Sequence, residues 1–235
     1  MRRMVRILSM GAGVQTTTLL LLEPKKYDYI VFADTGDEKP ETYFYIENYL
    51  KPFCKENNVE WITVKNSKYD SLMDYCVKKH LIPTRNFRWC TDRFKIKPIR
   101  NFIKSLKLKE PVIQDIGISL DESHRANFHK YNDKISTFEY PLIDQKITRK
   151  QCYEIIEEKG FPVPPKSGCY YCPYAKKQEI RKLHAEHRDL YNKADNMEKG
   201  NKQYPLMTLF NVPLSNLNEI QSLDDFTCDS GNCFV

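Results

Sequence analysis

Four short apolar segments, each set between turn residues and helical patterns, constrain this chain more than any other feature. Residues 5–9, Tyr29–Ala33 (YIVFA), Glu60–Val64 and residues 112–119 read as strands. Residues 16–22, 40–57 and 71–81 carry helical spacing, the second with Pro40 at an entry position, where its missing N–H costs nothing. Strands that alternate with helices cannot pair as hairpins and need crossovers. The pattern therefore predicts an α/β fold, a Rossmann-like parallel sheet with helices on both faces. Right-handed crossovers would gather the C-terminal ends of the strands, and any ligand, along one edge.

The chain has 235 residues, of which 41% are apolar and 29% charged, enough for one medium domain or one domain with an appendage. Lys plus Arg is 37 and Asp plus Glu is 31, a net charge of +6 that permits an anionic partner without demanding one. The basic N-terminus has too short an apolar stretch for a signal peptide, and no run approaches the roughly 18 apolar residues of a membrane span. A cytoplasmic location with no membrane partner is expected. Reduced thiols then make the eight cysteines core residues, metal or cluster ligands, or reactive groups rather than a disulfide framework.

Beyond about residue 145 the pattern changes, and we expect two parts: residues 1–145, binding nucleotide, and residues 146–235, a small helical appendage containing cysteines. Residues 147–159 read as a helix starting near Thr148. Pro162, Pro164 and Pro165 then break the chain, and Ser167-Gly-Cys169-Tyr-Tyr-Cys172-Pro173 forms a turn-rich knuckle. Residues 176–194 read as one amphipathic helix with Ile180, Leu183, His187, Leu190 and Ala194 on its apolar face. His184 and His187 are read as structural or facing solvent.

Three stretches could meet a nucleotide. Ser9-Met-Gly11-Ala-Gly13-Val-Gln15-Thr16 joins a strand to a helix, where backbone N–H groups and the helix dipole favour an anion. It is neither a Walker loop nor a dinucleotide fingerprint, and its small residues also suit a plain tight turn. Asp34, in Ala-Asp-Thr-Gly, ends a strand at the ligand edge, where it could hold Mg²⁺ or a nucleotide group; an Asx turn is the competing use. Gly117-Ile-Ser-Leu-Asp121-Glu122-Ser-His-Arg125 follows the fourth strand, so Asp121, Glu122 and Arg125 would share that edge. Arg125 could take phosphate in a bidentate grip, and a surface turn of ion pairs is the alternative.

Taken in order, these stretches resemble the adenine-nucleotide alpha-hydrolase superfamily, the PP-loop ATP pyrophosphatases, and within it the phosphoadenylyl-sulfate (PAPS) reductase-like proteins. The family loop Ser-Gly-Gly-x-Asp-Ser is replaced here by Gly11-Ala-Gly-Val-Gln15-Thr16, so Gln15 stands where Asp is usual. The resemblance implies that Ser9, Gly11, Gly13, Gln15 and Thr16 hold phosphates, Asp34 binds nucleotide or metal, and Arg125 binds phosphate. It implies a catalytic set of Asp34, Asp121 and Arg125.

Cys90, in Trp-Cys-Thr, and the pair Cys169 and Cys172 match positions that resemble iron–sulfur ligands in the ATP pyrophosphatases of DNA phosphorothioation. Cys228 or Cys233 in the tail could add a further ligand. A [4Fe–4S] cluster is the leading expectation. A closed four-thiolate zinc site at Cys169, Cys172, Cys228 and Cys233, or a redox dithiol, are the alternatives. Cys54, Cys76 and Cys152 lie in helical patterns and read as packing thiols.

Residues 85–109 hold nine Lys or Arg against one acid, with Phe87, Trp89, Phe94 and Phe102 interleaved. Such a run attracts phosphates and stacks exposed bases. It equally suits a helix burying Ile96, Ile99, Phe102 and Ile103. The implied activity is ATP-dependent sulfur transfer to nucleic acid, DNA or tRNA, with ATP and Mg²⁺ as cofactors. A sulfur donor such as a cysteine desulfurase, and a second copy in a homodimer, are the further partners the resemblance allows. A PAPS or adenylyl-sulfate reductase, and a non-catalytic nucleic-acid-binding protein with structural zinc, are the competing functions.

Overall fold

The apolar segments RILSM and YIVFA are buried on both sides because both faces of the sheet are covered there. In the computed structural model, which describes residues 4–129 and 134–217, five strands form one all-parallel sheet in the order β3-β2-β1-β4-β5. The strands are β1 (Arg6–Met10), β2 (Tyr29–Ala33), β3 (Glu60–Val64), β4 (Val112–Ile116) and β5 (Ser136–Glu139). The expected α/β architecture is present. β2 and β3 have the expected bounds, and β1 and β4 differ by one to three residues at their ends. β5 carries the sequence STFE, which is short and mostly polar, and no apolar run announces it.

Side-chain alternation divides the core. Leu8, Met10, Ile30 and Phe32 point to one face, where they meet α1 (Val14–Leu22), α2 (residues 40–56) and a helix at Arg149–Glu158. Ile7, Val31, Ala33 and Val112 point to the other, against Ile99 and Ile103. Following α2, α3 (Leu72–Lys79) is capped by Ser71, whose hydroxyl accepts the Asp74 N–H at 3.1 Å. Next, α4 (residues 89–105) carries Ile99 and Ile103 and contains one wide π turn at Asp92–Ile96. Two helices then follow β5, α5 (Pro141–Asp144) and α6 (Arg149–Glu158). α6 starts in a reciprocal capping box between Thr148 and Gln151, as the Thr148 reading anticipates.

The helix expected over residues 176–194 is two helices, which corrects that reading. α7 (Lys177–Glu186) and α8 (Arg188–Lys199) meet at His187, whose backbone leaves helical geometry (φ −134°, ψ 60°). Ile180, Leu183 and Ala194 are buried as expected, in a second core with α3 and the cysteine knuckle. The spacing of apolar residues survives such a break, so periodicity alone does not reveal it. Contacts cross residue 145 in both cores: α1 packs on α6, and the Thr18 hydroxyl donates to the Cys152 carbonyl at 3.2 Å. No helix among the described residues is long and apolar enough to cross a membrane.

One buried acid ties the sheet to its lower rim. Asp115 of β4 is fully buried and paired with Arg6 at 2.6 Å and Lys26 at 3.1 Å, and it accepts the Tyr27 hydroxyl at 3.1 Å. Three donors on two neighbouring segments offset the desolvation of this carboxylate.

Candidate functional site

Strand order reverses between β1 and β4, so the loops beyond their C-terminal ends part and leave a crevice. A cleft of about 980 Å³ opens there. Ser9 of β1, Gly11 and Gly13 of the loop after it, and Gln15 and Thr16 of α1 line it, with Gln114 and Gly117 at the end of β4, Lys95 and Arg100 from α4, and Ser167 from the chain before the knuckle. The loop is held tight. A Cβ on Gly117 would sit 2.6 Å from Thr16 Cγ2, and one on Gly13 would sit 3.0 Å from Ser167 Oγ. The residue with positive φ in this loop is Ala12 (55°), not either glycine. The glycines are required by close approach, not by backbone sign.

The Ser9 and Ser167 hydroxyls are buried and have no hydrogen-bond partner among the described residues. Both residues line the cleft. Orphaned donors beside a helix N-terminus fit an anionic ligand that supplies the missing acceptor.

Gln15 does not leave the loop uncommitted. Its amide Nε2 donates to Glu122 at 3.0 Å, and Glu122 also pairs with Arg125 at 2.6 Å and Arg149 at 3.4 Å. An aspartate at position 15 would face Glu122 carboxylate to carboxylate. The amide turns that repulsion into a bond, a physical reason for Gln in this chain. Gly13, Gln15, Gly117, Arg125, Arg149 and Lys166 surround a smaller pocket of about 500 Å³ adjoining the loop. Arg125 is buried with Glu122, while Asp121 lies at the exposed rim. Asp121 accepts the Arg149 N–H at 2.8 Å and so caps α6. Burial acts to raise the Asp121 pKa, and that N–H bond helps hold it below the ordinary value.

Asp34 stands at the sheet edge but is fully engaged. Its Oδ1 accepts the Gly36 N–H at 2.8 Å and the Tyr43 hydroxyl at 2.7 Å, and Oδ2 pairs with Lys65 at 2.9 Å. Burial favours a raised pKa here, and these three donors outweigh it. The Asx turn is therefore the geometry present. It shapes a loop in which Gly36 has φ 79° and packs its Cα against Ser71. A metal at Asp34 would have to displace Lys65, so the donor set as it stands does not fit Mg²⁺.

That same loop carries the knuckle. Tyr170 N–H donates to the Asp37 carbonyl at 3.1 Å, and Lys39 N–H to the Gly168 carbonyl at 3.3 Å. The Tyr171 hydroxyl donates to Asp37 at 2.8 Å, and Thr35 Oγ1 lies 3.3 Å from Cys169 Sγ. Cys169 and Cys172 thus sit beside the end of β2, and Cys90 approaches from the start of α4 in the same core. Between them lies Lys95, half-buried at the cleft wall and paired with Glu38 at 3.2 Å. Burial lowers the Lys95 pKa, but Glu38 and the neighbouring cysteines raise it further, so it stays an ammonium.

Burial pushes the Cys169 and Cys90 thiols upward, away from the low pKa of a reactive thiol. Coordination would remove that penalty, because metals take thiolates. A tetrahedral zinc with Zn–S near 2.3 Å sets sulfurs about 3.8 Å apart. Among the described residues, Cys90, Cys169 and Cys172 are not all within 4.8 Å of one another. A cluster spreads its ligands more widely. Cys228 and Cys233 lie outside the described residues. Cys54, Cys76 and Cys152 are buried.

Lys95, Glu38 and Ser167 are the site residues that sequence reasoning misses. Lys95 lay within a noted basic run, yet only the π turn of α4 aims it at the thiols. The other helix-face reading of that run holds in part: Ile99 and Ile103 are buried, Ile96 and Phe102 are half-buried, and Phe87 is 69% exposed. His187 Nε2 lies 3.3 Å from Glu41, and His184 packs edge-on to Tyr191.

Glu179 staples the knuckle from below, binding Lys39 and Lys166 and the Lys176 N–H. Burial opposes its ionisation, but these partners hold its pKa at about 2. A depressed folded value gives stability above the unfolded pKa near 4.3 that is lost as pH falls toward 2. Glu179→Gln is therefore expected to lose about 2 kcal/mol at pH 7 and little near pH 2, measured as the change in urea midpoint at the two pH values.

No protein-family profile matches this chain. It is 26% identical over 200 residues to "Uncharacterized protein MJ0973" of Methanocaldococcus jannaschii, covering 79% of this chain and 45% of that protein. It is 27% identical over 201 residues to "Uncharacterized protein MJ0066" of the same organism, covering 80% and 39%. The chain thus spans less than half the length of these relatives. Among solved structures it is similar to phosphoadenylyl-sulfate (PAPS) reductase from Candida auris, determined as a phosphate complex, with TM-score 0.52 and 15% identity over 73% of this chain and 83% of that one. The order of five parallel strands and this likeness together give the chain a PAPS reductase-like fold.

Proposed function

We propose that this chain is a PP-loop ATP pyrophosphatase that activates an acceptor on nucleic acid and passes sulfur to it. One observation carries the reading: Ser167 lines the phosphate cleft, and two residues later Cys169 is bonded to the β2 loop beside Lys95, which lines the same cleft. Nucleotide loop and thiol group share one edge. In this reading residues 1–145 supply the nucleotide site, residues 146–235 the knuckle, and the two act as one unit.

Ser9, Gly11, Gly13, Gln15 and Thr16 would cradle the phosphates of ATP, with the orphaned Ser9 and Ser167 hydroxyls donating to them. Arg125, held by Glu122, would face the leaving pyrophosphate with Arg149 and Lys166. An acceptor oxygen attacks the α-phosphorus, the bond to pyrophosphate breaks, and a sulfur nucleophile then displaces AMP. Mg²⁺ would arrive with ATP, and Asp34 would position the β2 loop without ligating the metal. Cys90, Cys169 and Cys172 would hold a [4Fe–4S] cluster, which when bound offers iron for carrying sulfide. Lys95 would balance the charge of the three thiolates.

A second reading has one observation in its favour, the likeness to a PAPS reductase. In that reading the same cleft takes PAPS and releases sulfite. Anaerobically purified protein supplied with ATP, Mg²⁺ and an oligonucleotide separates the two. Pyrophosphate release with PAPS inert supports the proposal. Sulfite release from PAPS with ATP inert replaces it with reduction.

A further inference from the structure

The outer side of α4 carries a feature that the nucleotide site does not use. Two surface grooves of about 990 Å³ and 740 Å³ meet at Tyr75 and Arg93. Six Lys or Arg line the pair (Lys65, Lys68, Lys79, Arg93, Lys97 and Lys202), and no Asp or Glu does. Two of these cations are already paired, Lys65 with Asp34 and Lys97 with Asp92. Lys68, Lys79 and Lys202 are exposed and form no ion pair among the described residues. A protein with a net charge of only +6 concentrates these cations on one track.

The track also has aromatic walls. Tyr75 packs edge-on to Tyr69 at 4.8 Å and tilts against Trp89 at 5.2 Å. The Arg93 guanidinium lies 5.2 Å over the Tyr75 ring and donates to its hydroxyl. Beside them Phe87 is 69% exposed in a groove that also holds the exposed Leu81 and Met207, an apolar patch rather than a lone ring. Cations at intervals with ring faces between them match a phosphodiester backbone whose bases are unstacked. A duplex hides its base faces and would leave Phe87 without a partner. An acidic polypeptide would satisfy the lysines but gives the rings no flat surface to stack on.

We propose that this groove binds single-stranded nucleic acid, with phosphates on Lys68, Lys79 and Lys202 and a base stacked on Phe87. The site deepens the nucleic-acid reading above and rests on it for its use. Trp89 and Arg93 flank Cys90 on α4, and Lys95 and Arg100 on the same helix line the nucleotide cleft. α4 is therefore shared between strand groove and cleft, and Lys65 reaches from the groove to Asp34 at the end of β2. A strand lying here passes close to the thiol group.

The test is fluorescence anisotropy with the full chain and no ATP, using labelled oligonucleotides of about 20 residues. Three probes are compared: oligodeoxyuridylate, oligouridylate and a duplex of equal length. Wild type is expected to bind one or both single strands at least tenfold more tightly than duplex, and the tighter of the two identifies the sugar. The triple variant Lys68→Glu, Lys79→Glu, Lys202→Glu is expected to lower the log–log salt slope by about 2, from roughly 0.7 per phosphate contact. Phe87→Ala is expected to weaken binding about tenfold while leaving that slope unchanged. All four substitutions are at exposed positions, so unchanged urea midpoints separate lost binding from lost fold.

Failure of wild type to bind either single strand overturns the proposal. So does equal or tighter duplex binding, wild-type affinity in both variants, or displacement of the strand by polyglutamate at equal charge. ATP turnover, assayed separately, tells the two readings apart. Strand binding without pyrophosphate release leaves the groove standing and removes the enzyme assignment. Pyrophosphate release without strand binding does the reverse.

Discussion

Cys169→Ser protein, purified without oxygen, is expected to hold less than about a tenth of the iron and acid-labile sulfide of wild type, and to lose sulfur transfer completely. Serine keeps the size of the side chain and can still bond Thr35, which lies 3.3 Å from the sulfur. What it cannot provide is a soft thiolate donor. Cys90→Ser and Cys172→Ser should behave alike, because in the proposed site all three thiols hold one cluster. Cys54→Ser and Cys152→Ser should retain the metal, since those thiols sit in the core of helices and sheet far from the knuckle. Iron and sulfide analysis with a visible spectrum checks all five. Zinc without iron in wild type, prepared anaerobically, would instead favour the structural-zinc reading.

The largest effect on stability is expected at Asp115. This carboxylate is fully buried and faces Arg6, Lys26 and the Tyr27 hydroxyl. Asp115→Ala removes the shared acceptor and leaves Arg6, itself only 17% exposed, with Glu139 alone. Removing one partner of a buried ion pair costs about 3–5 kcal/mol, because the other charge stays desolvated. For a chain of this size that corresponds to a fall in Tm of roughly 10 °C. Asp115→Asn keeps an acceptor and should cost about half as much. Thermal unfolding at pH 7 measures both. The acid lies in β4, so the loss should spread through the sheet and not remain local.

Much of the fold is legible in the sequence because its signals are local. YIVFA can be little other than a strand covered on both faces, and Pro40 and Thr148 mark helix starts by their own chemistry. What escapes is decided at a distance. STFE becomes β5 only because β4 offers it an open edge, with Val112 set opposite Ser136. The break at His187 leaves Ile180, Leu183 and Ala194 on buried faces, so the apolar pattern passes through it unmarked.

The site divides the same way. The loop after β1, Asp34 and the three cysteines are visible as motifs in single stretches of chain. Lys95 and Glu38 are not, since a lysine and a glutamate 57 residues apart gain meaning only when burial forces them to pair. Gln15 is instructive in another way. Read alone, it is a departure from a family loop, whereas its bond to Glu122 makes it the residue that lets Glu122 hold Arg125 beside the loop.

The central claim is that the cleft between β1 and β4 takes an adenine nucleotide by its phosphates. Titration of anaerobic protein with Mg–ATP, followed by calorimetry, tests it most directly. The account predicts saturable binding at one site, lost in Gly13→Val, whose side chain would press on the Ser167 hydroxyl that a Cβ alone would meet at 3.0 Å. Absence of binding by wild type to ATP, and equally to PAPS, would contradict it.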